Sequence, residues 1–259
     1  MSIKWPWDHA YVLNLDRHKD RWKKMKKELK KNNIKAERFI GIDGYKKFKY
    51  ADKVKSTENF NEKWKYIEKM NLELQKKGHV SKDVGYSDKH KYPNLKPGQL
   101  GHLNSFLNIF QDAIRKNYQT VLVLEDDCLF IDNFKKYFFR SFNKIPNDWH
   151  LFYLGVNNWH IESTGEPIKV NQNICKLNGV EPKSKKNMYK KGSIYGTHAF
   201  IIKRRAIKEW LNYAYPFKVA SDIAMGKLIN IQKRIIAYYP CYQLIEPTSD
   251  LDDSSTNEI

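Results

Sequence analysis

The sequence predicts an α/β fold with a central, mostly parallel sheet flanked by helices, and three observations carry that expectation. A strand-length apolar run, a basic amphipathic stretch and a second apolar run follow one another between Ala10 and Ile42. A strand, a crossover helix and a parallel strand in that order open a nucleotide-binding sheet. Thr120-Val121-Leu122-Val123-Leu124 is then a continuous apolar run of the kind buried on both faces of such a sheet. It leads without a break into Glu125-Asp126-Asp127.

The elements follow in order. Ala10 to Leu15 reads as the first strand. Asp16 to Asn33 reads as a helix with Asp16 as its N-cap, because Trp22, Met25 and Leu29 make one apolar stripe. Arg38 to Ile42 is the second strand, closed by the Asp43-Gly44 turn. Residues 46–95 are Lys-rich and weakly periodic, with a helix expected over Asn61–Lys77 anchored by Trp64, Ile67 and Leu72. A segment of this length between ordered units reads as a lid or an acceptor-side insertion. From Pro97-Gly98 onward, Leu100, Leu103, Leu107, Phe110 and Ile114 define the clearest amphipathic helix in the chain. Strands are expected at Thr120–Leu124, Trp149–Gly155, Thr197–Ile202 and Arg234–Tyr239, and helices at Arg204–Tyr213 and Val219–Ile229. Residues 160–190 read as loop, and the polar tail, Ser249 to Ile259, as mobile.

Composition bounds the function. A chain of 259 residues with 41% hydrophobic and 14% aromatic residues can bury a core, so a wholly disordered chain is excluded. The expected organisation is one domain over 1–259, with the insertion at 46–95 and the tail at 249–259. No apolar run reaches the ~18 residues of a spanning helix. Met1 to Ala10 carries Lys4, Asp8 and His9 and does not read as a secretory signal. Three scattered cysteines (Cys128, Cys175, Cys241) are too few for a disulfide framework or a zinc site, and there is no N-x-[ST] sequence. These features set a cytoplasmic expectation. A net charge of +18 favours anionic partners, but the lysines are spread over many segments without interleaved aromatics, which argues against nucleic acid.

The carboxylate triplet is the most informative feature. Ligands of open α/β sheets bind at the carboxyl ends of the strands, and three adjacent carboxylates there repel one another unless something compensates them. A divalent cation bridging them to a diphosphate would do so. No G-x-x-x-x-G-K-[ST] or G-x-G-x-x-G loop is present, so phosphate would rely on the acidic site and on basic residues such as Arg17 and Arg21. Read from the residues alone, the triplet can also be a solvated turn and the arginines ordinary helix charge.

Several segments resemble glycosyltransferase family 25, which includes bacterial lipooligosaccharide and procollagen galactosyltransferases. Tyr11 to Arg17 and Arg38 to Gly44 resemble its two opening motifs, and Gly98 to Ser105 its G-E-x-G-C-x-x-S-H helix start. Val123 to Asp127 is similar to its L-E-D-D motif, Asp148 to Gly155 to W-D-x-x-Y-L-G, and Tyr195 to Ile202 to Y-G-T-x-A-Y-x-I. His102 stands where the family has Cys, and Phe106 where it has His. The resemblance implies a GT-A fold with a Rossmann-like sheet, holding UDP-galactose or UDP-glucose with Mn²⁺ or another divalent cation. Donor contacts are implied at Leu13, Asn14, Arg17, Asp43, Gly44, Ser105, Glu125 and Asp126. Metal ligands are implied at Asp127, Glu125 and Asp250. Inversion at the anomeric carbon is implied too, with Asp222 as the base that takes the proton of a hydroxyl on a glycan or a hydroxylysine of a collagen-like chain. Two other classes stay open: a noncatalytic basic module binding polyanions, and a nucleotidyltransferase.

Overall fold

Side-chain alternation along the central strands sorts the core into two layers. The structure is a computed structural model and describes residues 4–83, 94–155, 168–177 and 196–248. In chain order the first half runs β1 (His9–Asn14), α1 (Lys19–Lys31), β2 (Glu37–Ile40), α2 (Gly44–Lys47), α3 (Ala51–Ser56), α4 (Phe60–Lys76) and α5 (Pro97–Arg115). The second half runs β3 (Thr120–Glu125), β4 (Cys128–Phe130), α6 (Phe134–Phe142), β5 (Leu151–Tyr153), β6 (Ile168–Lys169), β7 (Ile174–Leu177) and β8 (Ala199–Lys203). It ends with α7 (Arg204–Ala214), α8 (Ser221–Gly226), a π-helical turn over Lys227–Ile231, β9 (Ala237–Pro240) and β10 (Ile245–Pro247).

Eight strands form one sheet in the order β2-β1-β3-β8-β5-β9-β7-β6. Strands β1, β2, β3, β5, β6 and β9 share one direction; β7 and β8 run against it. Most strands are therefore co-directional, as expected, while the reversed β8 in mid-sheet makes its two ladders antiparallel. Successive residues of a strand face opposite sides of a sheet. Tyr11, Leu13, Val121, Val123, Leu151, Tyr153, Phe200 and Ile202 accordingly pack with α5, α7 and α8, where Phe106, Phe110 and Trp210 are fully buried. Ala10, Val12, Leu122, Leu124, Phe152 and Ile201 pack on the other face with Met25 and Leu29 of α1 and Phe134 and Phe138 of α6. Strand β3 is buried on both faces from Val121 to Leu124, as its unbroken apolar run predicts.

Several boundaries differ from expectation. Helix α1 starts at Lys19 with His18 at its cap, and Asp16 instead accepts a hydrogen bond from Arg38 at 3.5 Å. Leu72 is 48% exposed; α4 is anchored by Ile67, Met70 and Leu74. The expected Trp149–Gly155 strand contracts to β5, and β9 begins only at Ala237. Within 160–190, residues 168–177 form the hairpin β6–β7; the others lie outside the described residues. The Lys-rich region is entered through three helices, α2, α3 and α4, with Tyr45, Val54 and Ile67 in a small core of their own. Cys175 and Cys241, read as too few and scattered for a disulfide framework, form one disulfide between β7 and the residue after β9. Among the described residues no helix is long and apolar enough to cross a membrane.

Candidate active site

The parallel register of β1 and β3 sets Leu13 beside Glu125, so both strands end at the same level. The residues just beyond them, Leu15 to Arg21 on one side and Glu125 to Asp127 on the other, line one cleft. Gly98, His102 and Ser105, spaced along one face of α5, make the facing wall, and Asp43, Gly44 and Tyr45 close a third side. The cleft encloses about 640 Å³, including its open mouth.

Close backbone packing builds this corner. A Cβ on Gly44 would lie 1.8 Å from the Pro97 carbonyl oxygen, and one on Gly101 would lie 2.5 Å from the Ile42 oxygen. Ser105 Oγ locks the same corner, donating to Gly101 O at 2.7 Å and accepting from Ile42 N at 2.8 Å. Gly44 and Ser105, implied as donor contacts, thus line the cleft and also hold its walls together.

Each carboxylate has its own surroundings. Glu125 is held by His102 Nε2 at 3.2 Å and by Thr197 Oγ1, which donates at 2.8 Å. Burial alone would raise its pKa, but the imidazolium and these hydrogen bonds outweigh it and hold the carboxyl at about 2. His102 responds in kind: burial pulls its pKa down, and Glu125 pushes it up to a net rise. Asp126 accepts from Asn14 Nδ2 and lies 3.5 Å from Arg21. Its pKa is raised, chiefly by burial, against the Asn14 hydrogen bond and the Arg21 charge. Asp127 is different. Its Oδ1 is buried without a hydrogen-bond partner among the described residues, and burial plus its two acidic neighbours push its pKa up to about 7.

The other implied residues are placed as follows. Leu13, Arg17 and Asp43 line the cleft, and Arg17 pairs with Asp43. Asn14 is 1% exposed and sits beneath the wall, bridging Asp126, Arg38 and the His18 carbonyl. Asp222 is not on the cleft wall. It lies in the first turn of α8, accepts from Ile223 N at 2.8 Å, and has its pKa raised by burial. Its neighbour Ser221 hydrogen-bonds His102 Nδ1 at 2.7 Å, which connects α8 to the carboxylate site. Asp250 lies outside the described residues; Thr248, the last one described, donates from its N–H to Asp127 O at 2.7 Å.

Of the three carboxyls, Asp127 is the one whose chemistry would suit a cation, because its buried Oδ1 has no hydrogen-bond partner among the described residues. Its two neighbours are engaged by protein donors, and among the described residues no group of three or more His, Cys, Asp or Glu is arranged as a metal site.

Sequence reasoning missed His102 and Thr197 as partners of Glu125. The signal for His102 was its spacing from Ser105 on α5, one turn apart. Phe106, by contrast, is buried against the His102 ring at 4.6 Å and against Phe200 at 5.9 Å, a packing residue.

An α/β sheet with a cleft of carboxylates and arginines at its strand ends is the architecture in which open α/β folds place their ligands. The family model for glycosyltransferase family 25 (LPS biosynthesis protein) matches residues 7–225, and the chain belongs to that family. It is 25% identical over 177 residues to human procollagen galactosyltransferase 2, covering 67% of this chain and 24% of that protein. It is 29% identical over 150 residues to a glycosyltransferase 25 family member of Drosophila melanogaster, covering 57% of this chain and 21% of the relative. The chain thus spans about a quarter of the length of the curated relatives it matches. Among solved structures, the inositol-1-phosphate CTP transferase from T. maritima aligns over 93% of this chain and 91% of its own, at 13% identity and a TM-score of 0.41.

Proposed function

We propose that the cleft binds a UDP-hexose, UDP-galactose or UDP-glucose, and that the protein transfers the hexose to a hydroxyl of a glycan or a hydroxylysine. The observation that carries this reading is the buried Oδ1 of Asp127, just after β3, which has no hydrogen-bond partner among the described residues. Its demand for a cation, in a cleft that also holds Arg17 and Arg21, suits a diphosphate brought in with a divalent ion such as Mn²⁺.

Asp127 would hold that ion, with Glu125 beside it and Asp250, two residues past Thr248, as the implied third ligand. When bound, the ion offsets charge developing on the departing nucleoside diphosphate. Arg17 and Arg21 bind the diphosphate oxygens, exchanging their present partners Asp43 and Asp126 for the ligand. His102 and Thr197 keep Glu125 ionised and oriented. Asp222, set behind the cleft wall in this structure, would take the acceptor's hydroxyl proton once the first turn of α8 exposes it; the oxygen attacks the anomeric carbon, and the bond from that carbon to the diphosphate breaks, inverting the centre. Burial makes the Asp222 carboxylate more basic, which suits that role.

Calorimetric titration of UDP with and without Mn²⁺, together with UDP-galactose and UDP-glucose turnover, tests the reading. Mn²⁺-dependent binding that disappears in Asp127→Asn is expected. A protein that neither binds nor turns over these nucleotide sugars with Mn²⁺ present is not such an enzyme. The net charge of +18 favours a second reading, a noncatalytic polyanion-binding module, whose affinity would fall steeply with salt and ignore Asp127→Asn.

A further inference from the structure

The Lys-rich region builds a second cavity beside the first, and we propose that this cavity binds an anionic sugar, one carrying a carboxylate or a phosphate, as the charged part of the acceptor. The acceptor assignment rests on the glycosyltransferase reading; the binding of the anion does not.

Helix α2 and its flanks separate the two spaces. Asp43, Gly44 and Tyr45 face the carboxylate cleft, whereas Lys47, Phe48 and Lys49 line the second cavity. Helix α5 divides in the same way, with His102 and Ser105 toward the first and Leu100 and Asn104 toward the second. The tight contact at Gly44 and Gly101 is therefore the partition between two neighbouring sites.

The second cavity holds about 280 Å³, at the small end of the ~300–1,000 Å³ of small-ligand sites and suited to a single sugar unit. Its floor is apolar: Met70, Leu74, Leu100 and Phe217 are each at most 9% exposed. The rim is basic, with Lys47, Lys49, Lys77 and His79 set against one carboxylate, Glu73. That carboxylate is shared with Lys76 at 4.0 Å, so the rim keeps a surplus of positive charge. Lys49 Nζ stands 4.9 Å over the Tyr50 ring, which holds its head group at the rim. Three lysines around one shared carboxylate favour an anion over a neutral ligand, and the cavity beside Met70 and Phe217 gives a sugar ring its place.

Methyl NMR on the full chain labelled with ¹³C-methyl methionine tests this. Met70 reports on the cavity, and Met25, in the opposite core layer, is the control. Glucuronic acid, glucose 6-phosphate and glucose are titrated separately, and UDP with Mn²⁺ in parallel. At least one of the two acids is expected to move the Met70 signal and leave Met25 still, while glucose moves neither. The stronger of the two identifies the carboxylate or the phosphate. Lys49→Ala/Lys77→Ala is expected to weaken that acid by about tenfold while leaving UDP binding unchanged. No Met70 response to either acid, an equal response to glucose, or an unchanged affinity in the double variant overturns the proposal. UDP binding without acid binding would leave the donor reading standing and this one refuted. Acid binding without UDP binding would keep the anion site and remove its role as acceptor.

Discussion

His102 Nε2 lies 3.2 Å from Glu125 Oε1 while its Nδ1 lies 2.7 Å from Ser221 Oγ, so one imidazole ties α5 to both β3 and α8. A half-buried ion pair of this kind makes stability depend on pH in a defined window. The depressed Glu125 carboxyl contributes stability that is complete above its ordinary 4.5 and lost as pH falls through about 2. The raised His102 contributes stability that is complete below its ordinary 6.5 and lost as pH climbs through its folded value. The pair is worth most between those two ordinary values. His102→Ala should therefore cost about 2 kcal/mol near pH 5.5 and less near pH 9, read by urea denaturation at both. A cost independent of pH would show that the ring acts by packing alone.

Asp127→Asn should stabilise the ion-free protein. A carboxyl whose pKa is raised to about 7 binds its proton more tightly folded than unfolded, so its cost grows as pH rises from 3.8 and levels off above about 7. Removing that charge should gain on the order of 1–3 kcal/mol at pH 8, measured by denaturant midpoint. The same variant should lose Mn²⁺-dependent UDP binding. Destabilisation at pH 8 would mean that the carboxylate has a partner in the folded protein.

Two glycines near the cleft should behave differently. Gly44→Ala puts a methyl 1.8 Å from backbone at Pro97, so the α2–α5 corner must open, at about 3 kcal/mol. Gly41→Ala meets the Leu13 side chain at 2.9 Å, which can turn aside, and should cost about 1 kcal/mol. Paired thermal melts decide it; equal costs would contradict the packing described.

Cys175→Ser with Cys241→Ser should lower stability by up to about 4 kcal/mol, the chain-entropy value for a separation of 66 residues. A dithiothreitol-treated wild type should match the double variant in a urea melt. UDP binding should not change, because the disulfide joins β7 to the residue after β9, away from the carboxylate cleft.

Legibility followed the range of the signal. The stripe Leu100, Leu103, Phe110 lies in one helix and was readable because period and burial coincide there. Strand β3 and the carboxylates after it were readable for the same reason, a local run with a sharp end. The two-stranded β4–β10 ladder was not readable: Cys128 to Phe130 pairs with Ile245 to Pro247, and segments of three residues have no period to detect. Leu72 was misread because a leucine at helical spacing says nothing of which side of α4 finds a neighbour.

By itself the chain determined the α/β alternation, the buried strand and the position of three carboxylates at its end, all set by residue order within a single element. Tertiary structure alone decided how those carboxylates differ. Asn14, 112 residues before Asp126, and His102, 23 residues before Glu125, become their partners because β1 and α5 are brought against β3. The Oδ1 of Asp127 is left without a hydrogen-bond partner among the described residues. Hydrogen bonds and burial between distant segments leave no periodic trace in the sequence, yet they set which acid stays ionised and which resists ionisation.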